Sequence, residues 1–321
     1  MSMKGTMRSI NAAVNREERR RRDLEKEKEK KEAAYEVQVY EYYIDSLLSI
    51  HKSSSKSWDW KKISKINPPD LPQKETYYET IAEKQLDSYN SGIFDKLLNR
   101  TKSKKNKLIA QVKEGRLKDE NIHQKDLDTY DKDYKEWHEI NILSKKIITG
   151  DVSGFVEAIE LINPFSEISE LGSSIQFSIE SNKLIEVALD VSSNEVIPKE
   201  SKTLLKTGKV SIKPLSKTRF FELYQDYICS AILRMAREVF AILPIDTTII
   251  TAYGEILNTS TGHIERQPIL SVLIPRKTLY NFNFDNLDPS DSMNNFLHNV
   301  NFNKTKGFKP VEKLTIVLDD V

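Results

Sequence analysis

Apolar residues in the segment 219–243 recur at steps of three and four, which is the spacing of one face of an α-helix. Further apolar residues widen this face until few positions are left for water, and a helix that is apolar most of the way round is normally interior. Pro244 follows directly, and proline disfavours the helical conformation in the residue before it. The pattern therefore predicts a buried central helix over 219–243.

Strand-like patterns lie on both sides of this helix. The first two runs are separated by a tight turn at Ser181 and Asn182, which predicts a hairpin, and the last two are rich in β-branched residues. Five segments are predicted as strands: 174–180, 183–191, 209–215, 247–252 and 269–274. Their order predicts an α+β fold, in which a three-strand meander, the central helix and two further strands form a mixed five-stranded sheet packed by helices.

Helical periodicity also marks shorter segments. A short amphipathic piece is predicted around Trp58 and Trp60, and Asp288 followed by Pro289 is a helix-start signal. Further helices are predicted at 76–88, 92–99, 104–112, 124–146, 151–162, 199–206 and about 289–300. The chain is thereby divided into three regions, a charged helix or arm at 1–50, a helical region at 51–150 and an α/β domain at 151–321.

Charged residues dominate the first 32 positions. They include eleven lysines and arginines and seven acids, so this arm has a net charge of +4. Glutamate and lysine interleave, which supports a solvated helix through pairs four residues apart. From Ala33 an apolar face appears at helical spacing, so one helix is predicted from about 11 to 50, free at its start and docked at its end. No heptad seam precedes Ala33, so a long coiled coil is not indicated.

The composition of the chain limits the classes of protein to which it can belong. The chain of 321 residues has a net charge of +1, so no overall field favours nucleic acid or membranes. Its one cysteine, Cys229, excludes a disulfide framework and suits a reducing compartment, and we interpret it as a buried hydrophobe. No run of 18 apolar residues and no secretory signal are found, so a cytoplasmic protein without a membrane partner is expected. Frequent lysine, asparagine and isoleucine indicate an AT-rich bacterial genome.

Motifs for common chemistries are missing from the sequence. It contains no phosphate-binding loop, no dinucleotide-binding glycine pattern and no serine-hydrolase elbow. It has no CxxC, and no histidine lies four residues from another, so a zinc site is not indicated. No cofactor is expected on these grounds.

Local clusters of basic residues are candidates for contact with the phosphates of DNA or RNA. One lies in the arm, one in the basic segment 100–118 and one in the loop 301–310. The candidate residues are Arg19, Arg20, Arg21, Arg22, Lys102, Lys104, Lys105, Lys304 and Lys306. The alternative interpretation is a solvated helix end or helix face.

The order of elements over about 151–255 is helix, three antiparallel strands, helix and strand. It resembles the core of the restriction-endonuclease-like (PD-(D/E)XK) nucleases. That resemblance implies an acid on the second strand and a Glu-x-Lys on the third, which together bind Mg²⁺ and position a water molecule.

The matching positions in this chain are incomplete. Asp190 ends the second strand and would be the metal ligand, and Lys213 lies at the position of the motif lysine. Ser211 replaces the motif acid, and Glu157 or Glu160 on the preceding helix is the remaining candidate acid. The resemblance therefore implies Glu160, Asp190 and Lys213 as catalytic residues, with Mg²⁺ as the cofactor.

A second resemblance covers about residues 150–315. The blocks ILRMAREVFAILP, TGHIERQPILSV, LDPSDSMNNFLHN and KTKGFKPVEKL resemble a family of uncharacterised bacterial proteins. This resemblance implies no activity.

Three functions are consistent with these observations. The first is an intracellular bacterial binding or accessory protein, with nucleic acid as a candidate partner. The second is a divalent-metal-dependent nuclease. The third is a structural subunit that docks on another protein through its N-terminal helix.

Overall fold

The computed structural model describes residues 3–90, 100–166, 173–179, 181–191 and 196–315. The predicted helix at 92–99 lies outside these residues. Contacts divide the chain into two compact units, Asp59–Thr149 and a discontinuous unit made of Met1–Trp58 and Gly150–Val321. None of the described helices is both long and apolar enough to cross a membrane.

The unit Asp59–Thr149 is helical. Its helices are α2 (Trp60–Ile63), α3 (Tyr77–Asp87) and α4 (Thr101–Ile148). The helices predicted separately at 104–112 and 124–146 are parts of α4, because the charged residues between them are good helix formers and no proline interrupts them. The sequence pattern had divided one helix into two where its apolar face became weak.

Helix α3 packs closely against α4. A Cβ atom added at Gly115 would lie 2.7 Å from the Tyr78 carbonyl oxygen, so the two backbones touch there. One turn further along α4, the buried carboxylate of Asp119 accepts the backbone N–H groups of Tyr78 and Glu79 at 3.1 and 2.8 Å. Asp119 therefore satisfies the amino end of α3, where the side chain of Thr76 makes no capping bond.

The other unit begins with α1 (Met3–Leu48), a single helix of 46 residues. Residues 15–32 are all exposed, whereas Val37 and Leu47 are buried. Ion pairs four residues apart, such as Lys31–Glu27 at 2.9 Å, support the exposed part. The prediction of a helix whose first part is solvated and whose end is docked is confirmed over residues 15–48.

The central helix is α6 (Lys217–Ile242), and α5 (Val152–Ile162) precedes the sheet. Most residues of α6 from Leu223 onward are buried, which confirms the predicted interior helix. Its amino end is capped by the Ser216 hydroxyl, which accepts the Arg219 N–H at 3.2 Å. At its other end the Arg276 guanidinium donates to the Phe240 carbonyl at 2.9 Å and to the carbonyl of the C-cap residue Leu243 at 2.5 Å, which satisfies acceptors that the helix leaves open.

The main sheet is mixed, which confirms the α+β class. Its strands are β1 (Ser173–Ile179), β2 (Leu184–Val191), β5 (Thr247–Leu257), β6 (Ile264–Pro275) and β7 (Leu297–Val300), and this is also their spatial order. The predicted hairpin is confirmed as β1–β2, and β2 pairs in parallel with β5 after the crossover through α6. The strands predicted at 247–252 and 269–274 are longer than expected, because a tight turn at Gly262 lets them continue as a hairpin.

The prediction of a third meander strand at 209–215 is wrong. That segment forms β4 (Val210–Pro214), which pairs with β3 (Glu200–Leu204) in a separate two-stranded sheet. The helix predicted at 199–206 is therefore also wrong. Both strands are largely polar and half-exposed, so they have no apolar face to bury in the main sheet. The turn at Gly208, with a φ of 80°, closes them locally instead.

The helix predicted at about 289–300 is wrong beyond its first turn. After the short helix α7 (Arg276–Tyr280), Asp288 does cap the next helix, α8 (Pro289–Ser292), by accepting the Asp291 N–H at 2.9 Å. That helix ends at Ser292, and a 3₁₀ turn (Met293–Asn295) follows. Residues 297–300 are strand β7, which pairs with the outer edge of β6. The asparagine-rich sequence is a weak helix former, so pairing with an open sheet edge is preferred.

A short strap, residues 49–58, joins α1 to the central helix. The Trp58 N–H donates to the Ala241 carbonyl at 2.8 Å, and the Ser55 N–H donates to Glu238 Oε1 at 2.9 Å. His51 is buried in the middle of the strap. Its Nε2 faces the Phe284 carbonyl at 3.2 Å, which can only accept, so Nε2 carries the hydrogen and Nδ1 accepts from the Ser230 hydroxyl at 2.8 Å.

Acidification is expected to weaken the strap through His51. Burial lowers the pKa of His51, and the nearby charges of Lys52 and Arg237 act in the same direction. A lowered pKa means that the unfolded chain binds the proton first, so the free energy of unfolding falls as the pH drops below about 6.5. The slope is at most about 1.4 kcal/mol per pH unit for one proton.

The measurement is urea unfolding between pH 7.5 and 5.5, on the wild-type chain and on His51→Gln. The variant should be less stable at pH 7.5 and should lose part of the pH dependence. Exposed His263 on the β5–β6 turn provides the control, since His263→Gln should leave the slope unchanged. If the free energy of unfolding depends on pH with the same slope in all three proteins, the role of His51 is contradicted.

Candidate functional site

A cavity of about 530 Å³ lies between the first half of α6 and the segment that follows β6. The wall from α6 consists of Arg219, Glu222, Gln225, Asp226 and Cys229, which share one side of the helix because they are spaced by three, four and seven residues. The opposite wall comes from α8 and its 3₁₀ turn, from β7 and from the loop after it. Concave sites of this size with a few convergent polar groups are typical of ligand binding.

Asp226 is a half-buried carboxyl in the cavity wall. Burial raises its pKa, and the neighbouring charges of Asp288 and Glu222 raise it further, while the nearby Ser290 and the charge of Arg219 act in the opposite direction. A carboxyl in this environment is held half out of water beside other acids. Groups of this kind concentrate at functional sites.

The remaining charges of the cavity divide into two sets. Glu222 is paired with Lys304 at 3.3 Å and with Arg219 at 3.8 Å, so those cations are already engaged. Asp288 is fixed as the cap of α8, and its Oδ1 also accepts the Ser290 hydroxyl at 2.8 Å. Three carboxyls, those of Asp226, Asp288 and Asp291, therefore give one end of the cavity a negative potential.

A histidine and aromatic rings complete the lining. His298 Nδ1 donates to the Phe296 carbonyl at 2.9 Å in the neutral tautomer, which leaves Nε2 as an acceptor. Phe302 and Phe308 lie with ring centroids 4.9 Å apart and form an apolar wall. Burial raises the pKa of the Cys229 thiol far above its ordinary value, so the thiol stays protonated and is a poor nucleophile.

The three residues implied by the nuclease resemblance lie in different parts of the fold. Glu160 is exposed on α5, and Lys213 is exposed on the separate β3–β4 sheet. Asp190 is at the end of β2, paired with Arg266, whose guanidinium lies 3.6 Å from the centroid of the Tyr253 ring. The resemblance implied that Lys213 lies on a strand of the same sheet as Asp190. Lys213 lies on β4, which is not part of the main sheet, so that arrangement does not form. Their catalytic role remains a prediction.

No metal centre is formed by the part of the chain that the structure describes. Across 3–90, 100–166 and the described residues after 172, no group of three or more histidine, cysteine, aspartate or glutamate side chains could hold a metal ion. Asp190 therefore does not belong to such a group among the described residues.

The predicted phosphate-contacting residues are divided between the two units of the chain. The run from Arg19 to Arg22 is exposed on α1, but successive helical residues turn by about 100°, so these four side chains surround the helix instead of sharing a face. Lys102, Lys104 and Lys105 are exposed at the start of α4 in the other unit. Lys304 is paired with Glu222 in the cavity wall, and Lys306 lies nearby in the same loop. Nucleic-acid binding stays a prediction.

The cavity was not predicted as a site. Its signal in the sequence is a polar strip, Arg219, Glu222, Gln225 and Asp226, in the first half of a largely apolar helix. Such a strip indicates the part of a central helix that does not face the apolar core, because buried polar groups without partners are costly. The opposite wall could not be found in the same way, because the part of it around His298 was predicted as a helix that in fact ends at Ser292.

Comparison with protein-family models, with curated proteins and with solved structures gives no match. The function must therefore be inferred from the geometry of the chain itself.

Proposed function

We propose that this protein is a binding protein whose cavity receives a small organic amine as its ammonium ion. The observation that carries this proposal is the placement of Asp226, a half-buried carboxyl of raised pKa, beside Asp288 and Asp291 in a cavity of about 530 Å³. The lining has four carboxyls, including that of Glu222, against the two cations Arg219 and Lys304, so the acids are only partly balanced. A positively charged ligand would supply the missing counter-charge.

The remaining lining fits an ammonium ion that carries an apolar chain. An ammonium group has three donors, which match carboxylate oxygens and the free acceptor of His298. Phe302 and Phe308 offer apolar contact and ring faces that attract a cation. The volume of the cavity lies within the range of small-molecule sites. The acids at one end of the cavity thus recognise the charge of the ligand, and the aromatic rings at the other end recognise the length of its apolar chain.

Calorimetric titration with n-alkylamines of increasing length, and with alcohols of the same lengths, tests the proposal. Amines are expected to bind and the alcohols are not. Asp226→Asn removes a charge-assisted hydrogen bond worth about 1.5–3 kcal/mol, so amine affinity should fall by about 10- to 100-fold. Amine binding should also weaken on acidification, because protonation of Asp226 removes its charge at a pH above the ordinary range of aspartate.

Asp246→Asn is the matched control, because Asp246 is exposed and lies outside the cavity. Its affinity for amines should equal that of the wild-type chain. Equal binding of amines and alcohols, or an Asp226→Asn variant that binds amines as well as the wild-type chain does, would remove the proposal.

A further inference from the structure

Helix α1 carries a second apolar stripe, which faces away from the rest of its unit. Leu24, Tyr35, Val39 and Tyr42 are 58, 69, 48 and 75% exposed. At about 100° per residue, Leu24, Tyr35 and Tyr42 lie within about 20° of each other around the helix, and Val39 lies about 60° from Leu24. These four residues, the outward stripe, lie on one side of the helix over about five turns, with Lys28 and Lys31 on the same side between Leu24 and Tyr35.

The outward stripe is opposite to the docked face. The residues of α1 that turn towards the unit are at least partly covered and lie about 140–220° from Leu24 around the helix. They are Ala33, Val37, Tyr40, Ile44 and Leu47. The β3–β4 sheet also contacts α1 away from the stripe, through an ion pair between Lys202 and Glu36 at 2.7 Å. No described part of this unit covers the outward stripe.

Charge is distributed unevenly along the same helix. Residues 16–22 contain five arginines and two acids, whereas residues 33–48, where most of the outward stripe lies, contain three acids and neither lysine nor arginine. Two such helices side by side in parallel would place like charges together. An antiparallel arrangement places the basic start of each helix beside the acidic end of the other.

We propose that α1 pairs antiparallel with α1 of a second copy of this chain through the outward stripe. One register matches apolar residues with apolar residues and cations with aromatic rings. In this register Leu24 meets the partner's Val39, Lys28 meets the partner's Tyr35 and Arg21 meets the partner's Tyr42. This surface is independent of the cavity, so the proposal does not depend on amine binding.

The expected dimer is weak. The overlap from residue 21 to residue 42 is about 33 Å long at about 1.5 Å per residue, and only four apolar side chains per copy contribute. An interface of this size lies at the lower end of stable ones, so dissociation in the micromolar range is expected. The charged pairs make the association sensitive to salt.

Sedimentation velocity of the full chain from about 1 to 200 µM tests the dimer. The wild-type chain should shift from monomer to dimer over this range, and the double variant Tyr35→Lys/Tyr42→Lys should stay monomeric because it places lysines against the partner's Lys28 and Arg21. The control is Leu257→Lys/Ile264→Lys, which alters two equally exposed apolar residues at the β5–β6 end and should leave dimerisation unchanged.

A charge exchange tests the antiparallel direction. Arg20 and Asp45 lie within about 20° of each other around the helix, on the same flank of the outward stripe, so each is within reach of the partner's oppositely charged residue. Arg20→Asp alone and Asp45→Arg alone should each weaken dimerisation by about threefold or more. The double variant restores opposite charges in an antiparallel pair and should recover the wild-type dissociation constant.

Four results would overturn the proposal. The first is a wild-type chain that stays monomeric over the whole range of concentrations. If Tyr35→Lys/Tyr42→Lys still forms dimers, the interface lies elsewhere on the chain. If the single charge variants weaken dimerisation and the double variant does not restore it, this antiparallel register is excluded. A monomer that is retained on DNA or RNA with a steep dependence on salt assigns the arm to nucleic acid instead.

Discussion

Glu238→Leu is expected to lower the free energy of unfolding by about 3–5 kcal/mol. Glu238 and Arg234 form an ion pair one turn apart inside the central helix, with Nε and Oε1 2.5 Å apart and side chains 0 and 7% exposed. Removing the carboxylate leaves the guanidinium buried without its counter-charge. It also removes the acceptor of the Ser55 N–H, so the strap loses one of its attachments to α6.

The double variant Arg234→Met/Glu238→Leu separates the cost of the unpaired charge from that of the lost packing. Buried ion pairs often contribute little net stability, because desolvation of both ions offsets their attraction. Among the residues that the structure describes, Glu238 Oε2 has no hydrogen-bond partner, so this pair is incompletely satisfied. The double variant should therefore recover most of the loss in urea unfolding followed by circular dichroism. A double variant as unstable as Glu238→Leu would show that the pair itself supplies the stability.

Gly115→Ala is expected to destabilise the contact between α3 and α4 by about 3 kcal/mol, the upper end of the cost of overpacking. The added Cβ would lie 2.7 Å from the Tyr78 carbonyl oxygen and 2.9 Å from the Glu79 nitrogen. Both are backbone atoms of a helix and cannot rotate away. Replacing glycine by alanine within a helix normally stabilises it by about 1 kcal/mol, so the clash has to exceed this gain for the variant to be destabilised.

Hydrogen exchange of the Tyr78 and Glu79 amides reports on this contact directly. Both amides donate to Asp119, which is one turn from Gly115 on the same side of α4, and separation of the helices breaks both bonds. Faster exchange at these amides is expected in Gly115→Ala. The control is Ser103→Ala at an exposed position of the same helix, which should leave them protected. A Gly115→Ala protein with unchanged protection would show that the helices adjust without separating.

The parts of the fold that were predicted correctly are those with strong local signals. The central helix, the β1–β2 hairpin, the strands after Pro244 and the solvated start of α1 all follow from periodicity or turn residues. The errors at 199–215 and 289–300 have a different origin. Both segments are short and polar, and their state was decided by an available neighbour, which was the opposite strand β3 or β4 in one case and the edge of β6 in the other.

The candidate site was harder to predict for the same reason. Asp226 and Glu222 are visible as polar positions on an apolar helix, but Asp288, Asp291 and His298 lie more than 60 residues further along the chain. They meet across the cavity only because β7 joins the sheet and the α8 turn precedes it. Short sequence motifs carry no information about contacts between residues so far apart in the chain. The sequence alone therefore indicated one wall of the cavity and not the other.

The discontinuous unit has a consequence for synthesis of the chain. His51 rests on Ser230, 179 residues later, so α1 leaves the ribosome long before its binding surface exists. At roughly 5–20 residues per second the delay is about 10–40 s. During that interval the apolar half of α1 is uncovered on both of its faces. We expect the interleaved charges of residues 15–32 to keep the nascent chain dispersed until α6 emerges. Neutralising them should therefore increase aggregation during translation more than it lowers the stability of the finished protein.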